Sequence, residues 1–303
     1  MNIQKLFYLY YKRCFAVVTM SMFFLAAGCS TQKSEFEIVH AEELSAARAL
    51  LQDRRSRRVF DASVRMHALA DPREVDNLIA LGQFRHPRLA DFRQYFHPLV
   101  TVNPGYTVID AGAVGPEPIL TFAYKVGDGG RVIGFEPNPR AMGFTRNLLK
   151  EHNIQNVELH LLALYSKQGT MALHLPSYCS TYYDGGASLI QPPPGGGTSS
   201  VEVEVITLDD FVIKHGIDRV DFIKMDIEGA EMAALRGMEN VLRRYKPNLA
   251  ISAYHFPQCL FEIILWLDSL DLGYKFWFDN HYSDSGFGVE KMLYAKSPRR
   301  PIN

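Results

Sequence analysis

The sequence predicts an α/β fold: a doubly wound, mostly parallel sheet with an N-terminal helical extension. Three observations carry that expectation. Residues 107–139, TVIDAGAVGPEPILTFAYKVGDGGRVIGFEPNP, read as a strand, a glycine turn, a helix and a second strand ending in an acid. Residues 220–231, VDFIKMDIEGAE, read as another short strand running into an acidic turn and a helix. The chain has 303 residues, 47% of them apolar, enough to bury the core of one large domain with an N-terminal appendage.

At the N-terminus, Lys12 and Arg13 precede an apolar run over residues 14–28 that ends in LAAGCS. The run is short for a bilayer span, which needs roughly twenty residues, and nearer the core of a secretory signal. LAAGC resembles a bacterial lipoprotein cleavage site at Cys29, with Ala26 where leucine is usual. Three readings stay open for residues 1–29: a lipoprotein signal, an uncleaved membrane anchor, or an apolar extension with no targeting role. Residues 30–100 form a helical lead-in, with Leu44, Leu50, Leu51, Val59, Val64, Leu69, Leu78 and Leu81 spaced to line an apolar face and DPRE at Asp71 marking a helix start. Arg54, Arg55, Arg57 and Arg58 are expected on the solvated face of such a helix.

In the main domain, residues 101–303, the strand at 108–110 is apolar and β-branched, and Gly112-Ala113-Val114-Gly115 allows a sharp turn and a close backbone approach. Pro116 suits the first helical position, and GDGG at 127–130 stops the helix. The second strand, 132–135, ends at Glu136, where a carboxylate can accept both hydroxyls of a ribose. Dinucleotides and S-adenosylmethionine (SAM) both carry such a ribose. Glu117 either serves only the helix dipole as a first-turn acid or favours SAM, since an acid there repels a docked pyrophosphate, whereas SAM has a sulfonium, an amino-acid zwitterion and no phosphate.

Residues 157–164 and 170–175 read as strands, and VEVEVITL follows at 201. Between them lies a loop rich in Gly, Pro, Ser and Tyr, in which Tyr178, Tyr182 and Tyr183 are placed to close over an acceptor. Thr207 and Asp210 make a capping box before a helix at Phe211. In the strand at 220–226, alternation puts Phe222, Lys224 and Asp226 on one face, so Lys224 needs an acidic partner, either Asp226 or a neighbour. Asp226 and Glu228 stand at the C-terminal strand edge where ligands of such sheets bind, and a helix begins near Gly229. His255 follows the next strand, and His281 and Tyr282 are expected beyond the one after it.

The stretches VIDAGAVGPE, GRVIGFEPNP, VEVITLDDFV, DFIKMDIEGAE, LAISAYHFP and NHYSDSGFGVEKMLYA resemble the FkbM-type family of SAM-dependent methyltransferases, from about residue 95 to 295. The glycine turn reads GAVGP where that family more usually has GANIG. The resemblance implies the class I methyltransferase (Rossmann-like) fold, SAM as methyl donor and a hydroxyl acceptor on a small molecule or carbohydrate. It places Asp110, Gly112 and Glu136 on the cofactor and Asp226 and Glu228 beside the transfer site; their neighbours Ala113, Gly115, Glu117 and Asn138 are expected in the same cofactor contact set. His255 or Asp226 is the candidate base and Glu228 an acceptor-orienting group. No metal is expected, because Asp226 and Glu228 have no histidine near them in sequence.

Net charge is −1, which lacks the basic footprint of a nucleic-acid binder. Cys14, Cys29, Cys179 and Cys259 show no metal or disulfide spacing. A domain that meets SAM is expected in the cytoplasm or at its membrane, with association through residues 14–28. Two rival readings are a nicotinamide-dependent oxidoreductase and an exported lipoprotein whose methyltransferase-like domain is a non-catalytic binding module.

Overall fold

The computed structural model describes residues 34–69, 93–115, 117–176, 186–192, 199–283 and 288–298. The lead-in contains α1 (Glu35–Val39), α2 (Ala41–Leu50) and α3 (Arg54–Leu69). The main domain then runs β1 (Thr107–Ala111), α4 (Glu117–Val126), β2 (Arg131–Phe135), α5 (Pro139–Glu151), β3 (Val157–His160), β4 (Ala163–Leu164), β5 (Gly169–Leu175) and β6 (Ser199–Ile206). It continues through α6 (Leu208–Lys214), β7 (Phe222–Met225), α7 (Glu231–Arg236), α8 (Glu239–Tyr245), β8 (Asn248–Ser252), α9 (Cys259–Ser269), β9 (Lys275–Ser283) and β10 (Gly288–Lys296).

Seven strands form one sheet in the order β3-β2-β1-β7-β8-β10-β9. β1 pairs in parallel with β2 on one side and β7 on the other, and β10 is antiparallel to both β8 and β9. Strand order therefore reverses between β1 and β7, which opens a crevice at their C-terminal ends. All five residues of β1 and all four of β7 are buried, as central strands covered on both faces require. A small second sheet, β4-β6-β5, stands apart from the first.

Alternation along the strands divides the core between the two faces of the large sheet. Val108, Phe222 and Ala250 join one apolar cluster with Phe122 of α4 and Tyr95, whereas Ile109, Ile223 and Ile251 join another with Phe211, Leu235 and Ile264. Register places Asp110 directly opposite Lys224. The two polar residues thus share the face of Val108 and Phe222, and Lys224 reaches Asp110 rather than Asp226.

Local chemistry explains the element ends. Asn138 caps α5, accepting from the Arg140 N–H, with Pro139 at the first helical position. Thr207 accepts from Asp210 N at 2.9 Å, so the helix starts at Leu208, earlier than the expected Phe211. Ser34 and Glu37 close a reciprocal capping box on α1.

Several expectations are corrected. Residues 157–164 are two strands in different sheets, β3 beside β2 and β4 beside β6. The helix expected near Gly229 is present and begins at Glu231. His281 and Tyr282 lie inside β9, and His281 Nε2 is 2.9 Å from the Tyr294 hydroxyl in the core. Arg54, Arg55 and Arg58 are exposed as expected and Arg57 is half-buried, while Arg55 also donates to Asp279 at 2.8 Å, tying α3 to β9. The lead-in helices pack on the main domain, α2 against α9 and α3 against β9. The expected features at Asp71, Leu78, Leu81, Pro116, Tyr178, Cys179, Tyr182 and Tyr183, and the whole N-terminal segment 1–29 with Cys14 and Cys29, lie outside the described residues. Among the described residues, no helix is long and apolar enough to cross a membrane, and Cys259 is a free, buried thiol.

Candidate active site

Gly112 and Gly115 both hold φ at +81°, which explains the residue choice at two positions of the β1–α4 turn. The close approach at Gly112 is to protein: a Cβ there would lie 2.0 Å from the Asp226 carbonyl oxygen. Gly112 and Ala113 also donate their N–H groups to Phe135 O at 2.9 and 3.0 Å. The turn after β1 is thereby fixed to the ends of both β2 and β7. Glu117 opens α4, and its side chain lies outside what is described.

Asp110 lies in β1, just before the glycine turn. It has no exposed surface, and Lys224 Nζ sits 3.0 Å from its Oδ1. The same ammonium donates to Ala111 O at 3.1 Å and Gly112 O at 2.7 Å, and lies 5.1 Å from the Tyr95 ring centroid. Burial raises the Asp110 pKa while Lys224 opposes the rise. Held this way, Asp110 supports the turn through the Lys224 ammonium.

Glu136 closes β2 and is 4% exposed. Asn138 N–H donates to its Oε1 at 2.7 Å, so Asn138 is both helix cap and orienter of Glu136. Burial pushes Glu136 up to about 8, with that single N–H and the more distant Lys224 opposing. A carboxyl so placed gains from further hydrogen-bond donors.

The end of β7 carries a second constellation. Asp226 Oδ2 accepts from the Tyr95 hydroxyl at 2.7 Å, and its Oδ1 is buried without a hydrogen bond. His255 Nε2 lies 3.5 Å from Asp226 Oδ1 and 3.5 Å from Glu228 Oε2, aligned for a hydrogen bond to neither. On the other side of the ring, Nδ1 is 3.0 Å from Glu231 Oε1. That oxygen also accepts from Ile227 N at 3.0 Å and Gly229 N at 3.4 Å. Glu231 thus holds both the imidazole and the backbone turn before α7.

Burial alone would lower the pKa of His255, but Glu231, Glu228 and Asp226 outweigh it and hold the ring well above its ordinary value. Burial would likewise raise Asp226, yet His255, Lys224 and the Tyr95 hydroxyl keep it below the usual carboxylate range. Glu290 on β10 is pushed up to about 8, first by burial and then by Asp226.

Glu228 itself adopts φ +54°, and Gly229 follows at +99° with Phe256 where a Cβ would stand. Ser188, in the described piece of the long insertion, donates to Glu228 O at 2.7 Å and is anchored to His174 by paired backbone bonds. The structure therefore gathers Asp226, Glu228 and His255 and places Gly112, Ala113, Gly115 and Glu136 along the same sheet edge. Sequence reasoning missed Tyr95, Ser188 and Glu290. Tyr95 lies 131 positions from Asp226, and nothing in the sequence around it points to that partner.

With this geometry in place, comparison with known proteins identifies the class. Residues 110–276 match the Methyltransferase FkbM domain family, and the chain belongs to that family. It is similar to Methyltransferase 1 of Beauveria bassiana (strain ARSEF 2860), with 29% identity covering 36% of this chain and 49% of that protein. The chain thus spans about half the length of that curated relative. In fold it is similar to the methyltransferase FkbM of Methylobacillus flagellatus KT, with TM-score 0.64, 21% identity, and coverage of 86% of this chain and 60% of that one.

Proposed function

We propose that this protein transfers a methyl group from SAM to a hydroxyl of a small-molecule or carbohydrate acceptor. The observation that carries the reading is the common position of two sets of groups at the strand-order reversal. Glu136 and the Gly112–Gly115 turn stand at the ends of β2 and β1, and Asp226, Glu228 and His255 stand beyond β7 and β8.

The first set fits the cofactor. Glu136 is buried with one N–H on Oε1, and a ribose diol offers the donors that its carboxyl lacks. Bound there, SAM supplies a methyl carbon activated by its positive sulfur. In the transfer the acceptor oxygen bonds to that carbon, the carbon–sulfur bond breaks with its electron pair going to sulfur, and the acceptor proton is taken up by the enzyme.

The second set fits the acceptor. Tyr95 claims Oδ2 of Asp226 and leaves Oδ1 free, so that oxygen is the one available for the hydroxyl proton. Glu228, whose side chain is 37% exposed, is the member most open to a substrate and orients it. His255, which carries a proton among three carboxylates, holds Asp226 and Glu228 in place instead of acting as the base. Holding the two reactants in line supplies most of what such a displacement requires.

Calorimetric titration of SAM into the full chain, with NADH titrated in parallel, tests this reading. Saturable SAM binding without NADH binding is expected. NADH binding would favour the oxidoreductase, and binding of neither by folded protein would favour a non-catalytic module.

A further inference from the structure

The Asp226–Glu228–His255 cluster is built in a way that methyl transfer alone does not require. One atom from each residue can be chosen so that all three lie within 4.8 Å of one another. An ion centred among them would sit roughly 2–3 Å from each, the range in which divalent cations take carboxylate and imidazole ligands. Two of these atoms are otherwise unclaimed. Asp226 Oδ1 and both ring nitrogens of His255 are buried without an aligned hydrogen bond, Nε2 being the nitrogen that faces Asp226 and Glu228, and the His255 side chain is only 8% exposed.

The supporting groups are those a metal site uses. A histidine that binds a metal through one nitrogen commonly directs the other at a carboxylate, which fixes the tautomer and the ring plane. His255 Nδ1 is 3.0 Å from Glu231 Oε1, and two backbone N–H groups orient that oxygen in turn. Asp226 is pinned by the Tyr95 hydroxyl on Oδ2, which turns Oδ1 toward the imidazole. Glu228 is set by its left-handed backbone and by Ser188 on its carbonyl. Each of the three ligands thus has its own anchor, and those anchors come from Tyr95, the insertion and α7.

We infer that Asp226, Glu228 and His255 bind a divalent cation of the manganese or magnesium class, with further coordination positions open toward the acceptor. This deepens the proposed function and rests on it for the role of the ion, though not for its binding. A cation here balances the excess of carboxylates around the imidazole. An acceptor hydroxyl coordinated to it becomes more acidic. With Oδ1 engaged by the cation, the proton that Asp226 would otherwise take passes to water as the oxygen bonds to the methyl carbon and the electron pair of the broken bond goes to sulfur.

The test uses the full-length protein stripped with a chelator and titrated with manganese(II), following loss of the free-ion electron paramagnetic resonance signal. One saturable site is expected, with affinity falling at least about tenfold in Glu228→Gln and in His255→Gln. Circular dichroism shows whether each variant is folded, and Glu228→Gln changes only a partly exposed side chain. Glu202→Gln, on the exposed side of β6, is the counter-control and is expected to bind manganese as the wild type does. No saturable site in the wild type, or one that both folded variants retain, overturns the inference. Calorimetry of SAM on the same samples separates the two claims: SAM binding without manganese binding removes the cation site and leaves the methyltransferase reading intact.

Discussion

Gly112 and Asp226 touch through their backbones: a Cβ on Gly112 would lie 2.0 Å from the Asp226 carbonyl oxygen. The turn after β1 and the turn after β7 are thus packed as one unit, and the glycine is needed for that contact as well as for its φ of +81°. Gly112→Ala adds a clash to a strained backbone and is expected to destabilise the fold by at least about 2 kcal/mol. Chemical denaturation of the variant measures this, and an unchanged midpoint would show that the two turns are not coupled.

Lys224 and Asp110 form an ion pair with 2% and 0% exposure. Removing one partner leaves a buried charge, so Lys224→Met is expected to cost about 3–5 kcal/mol. The double variant Lys224→Met with Asp110→Leu should recover much of that loss. Failure to recover in a thermal melt would mean that the ammonium acts mainly through its bonds to Ala111 and Gly112.

The pH dependence of stability follows from Glu136, raised from its ordinary 4.5 to about 8. Below pH 4.5 the acid is protonated in both folded and unfolded chains. Between 4.5 and 8 the unfolded chain ionises while the folded one keeps its proton, so this group's contribution is lost as pH rises through about 8. The loss is on the order of 3–5 kcal/mol, and Glu136→Gln should remove that part of the slope. Denaturation midpoints of the two proteins from pH 5 to 9 test it, and parallel curves would contradict the assignment.

Tyr95→Phe deletes the hydroxyl on Asp226 and leaves the ring over Lys224. A stability loss of about 1–2 kcal/mol is expected, with SAM affinity unchanged, because the hydroxyl serves the acceptor side. A large drop in SAM affinity would move Tyr95 to the cofactor side.

The central strands were legible because the information is local. The β-branched run before Gly112, the short mostly apolar stretch before Asp226 and the acid closing β2 each declare a strand and its end within a few residues. The Asp110–Lys224 pair was half legible: alternation showed that Lys224 needed an acid, but only the register between β1 and β7 selects Asp110 over Asp226. The Tyr95–Asp226 bond was not legible, since 131 positions separate its partners and no periodicity spans them. The meeting of His255 with Asp226 and Glu228 depends on β7 and β8 being neighbours, which the sequence does not state. A histidine absent from the chain near two carboxylates was therefore present in space.

The central claim is that one sheet edge divides into a cofactor half at Glu136 and an acceptor half at Asp226. SAM affinity measured by calorimetry on Glu136→Ala and Asp226→Asn tests it most directly. The account predicts binding at least about tenfold weaker in Glu136→Ala and within about threefold of wild type in Asp226→Asn. Equal losses in both folded variants, or wild-type affinity in Glu136→Ala, would contradict it.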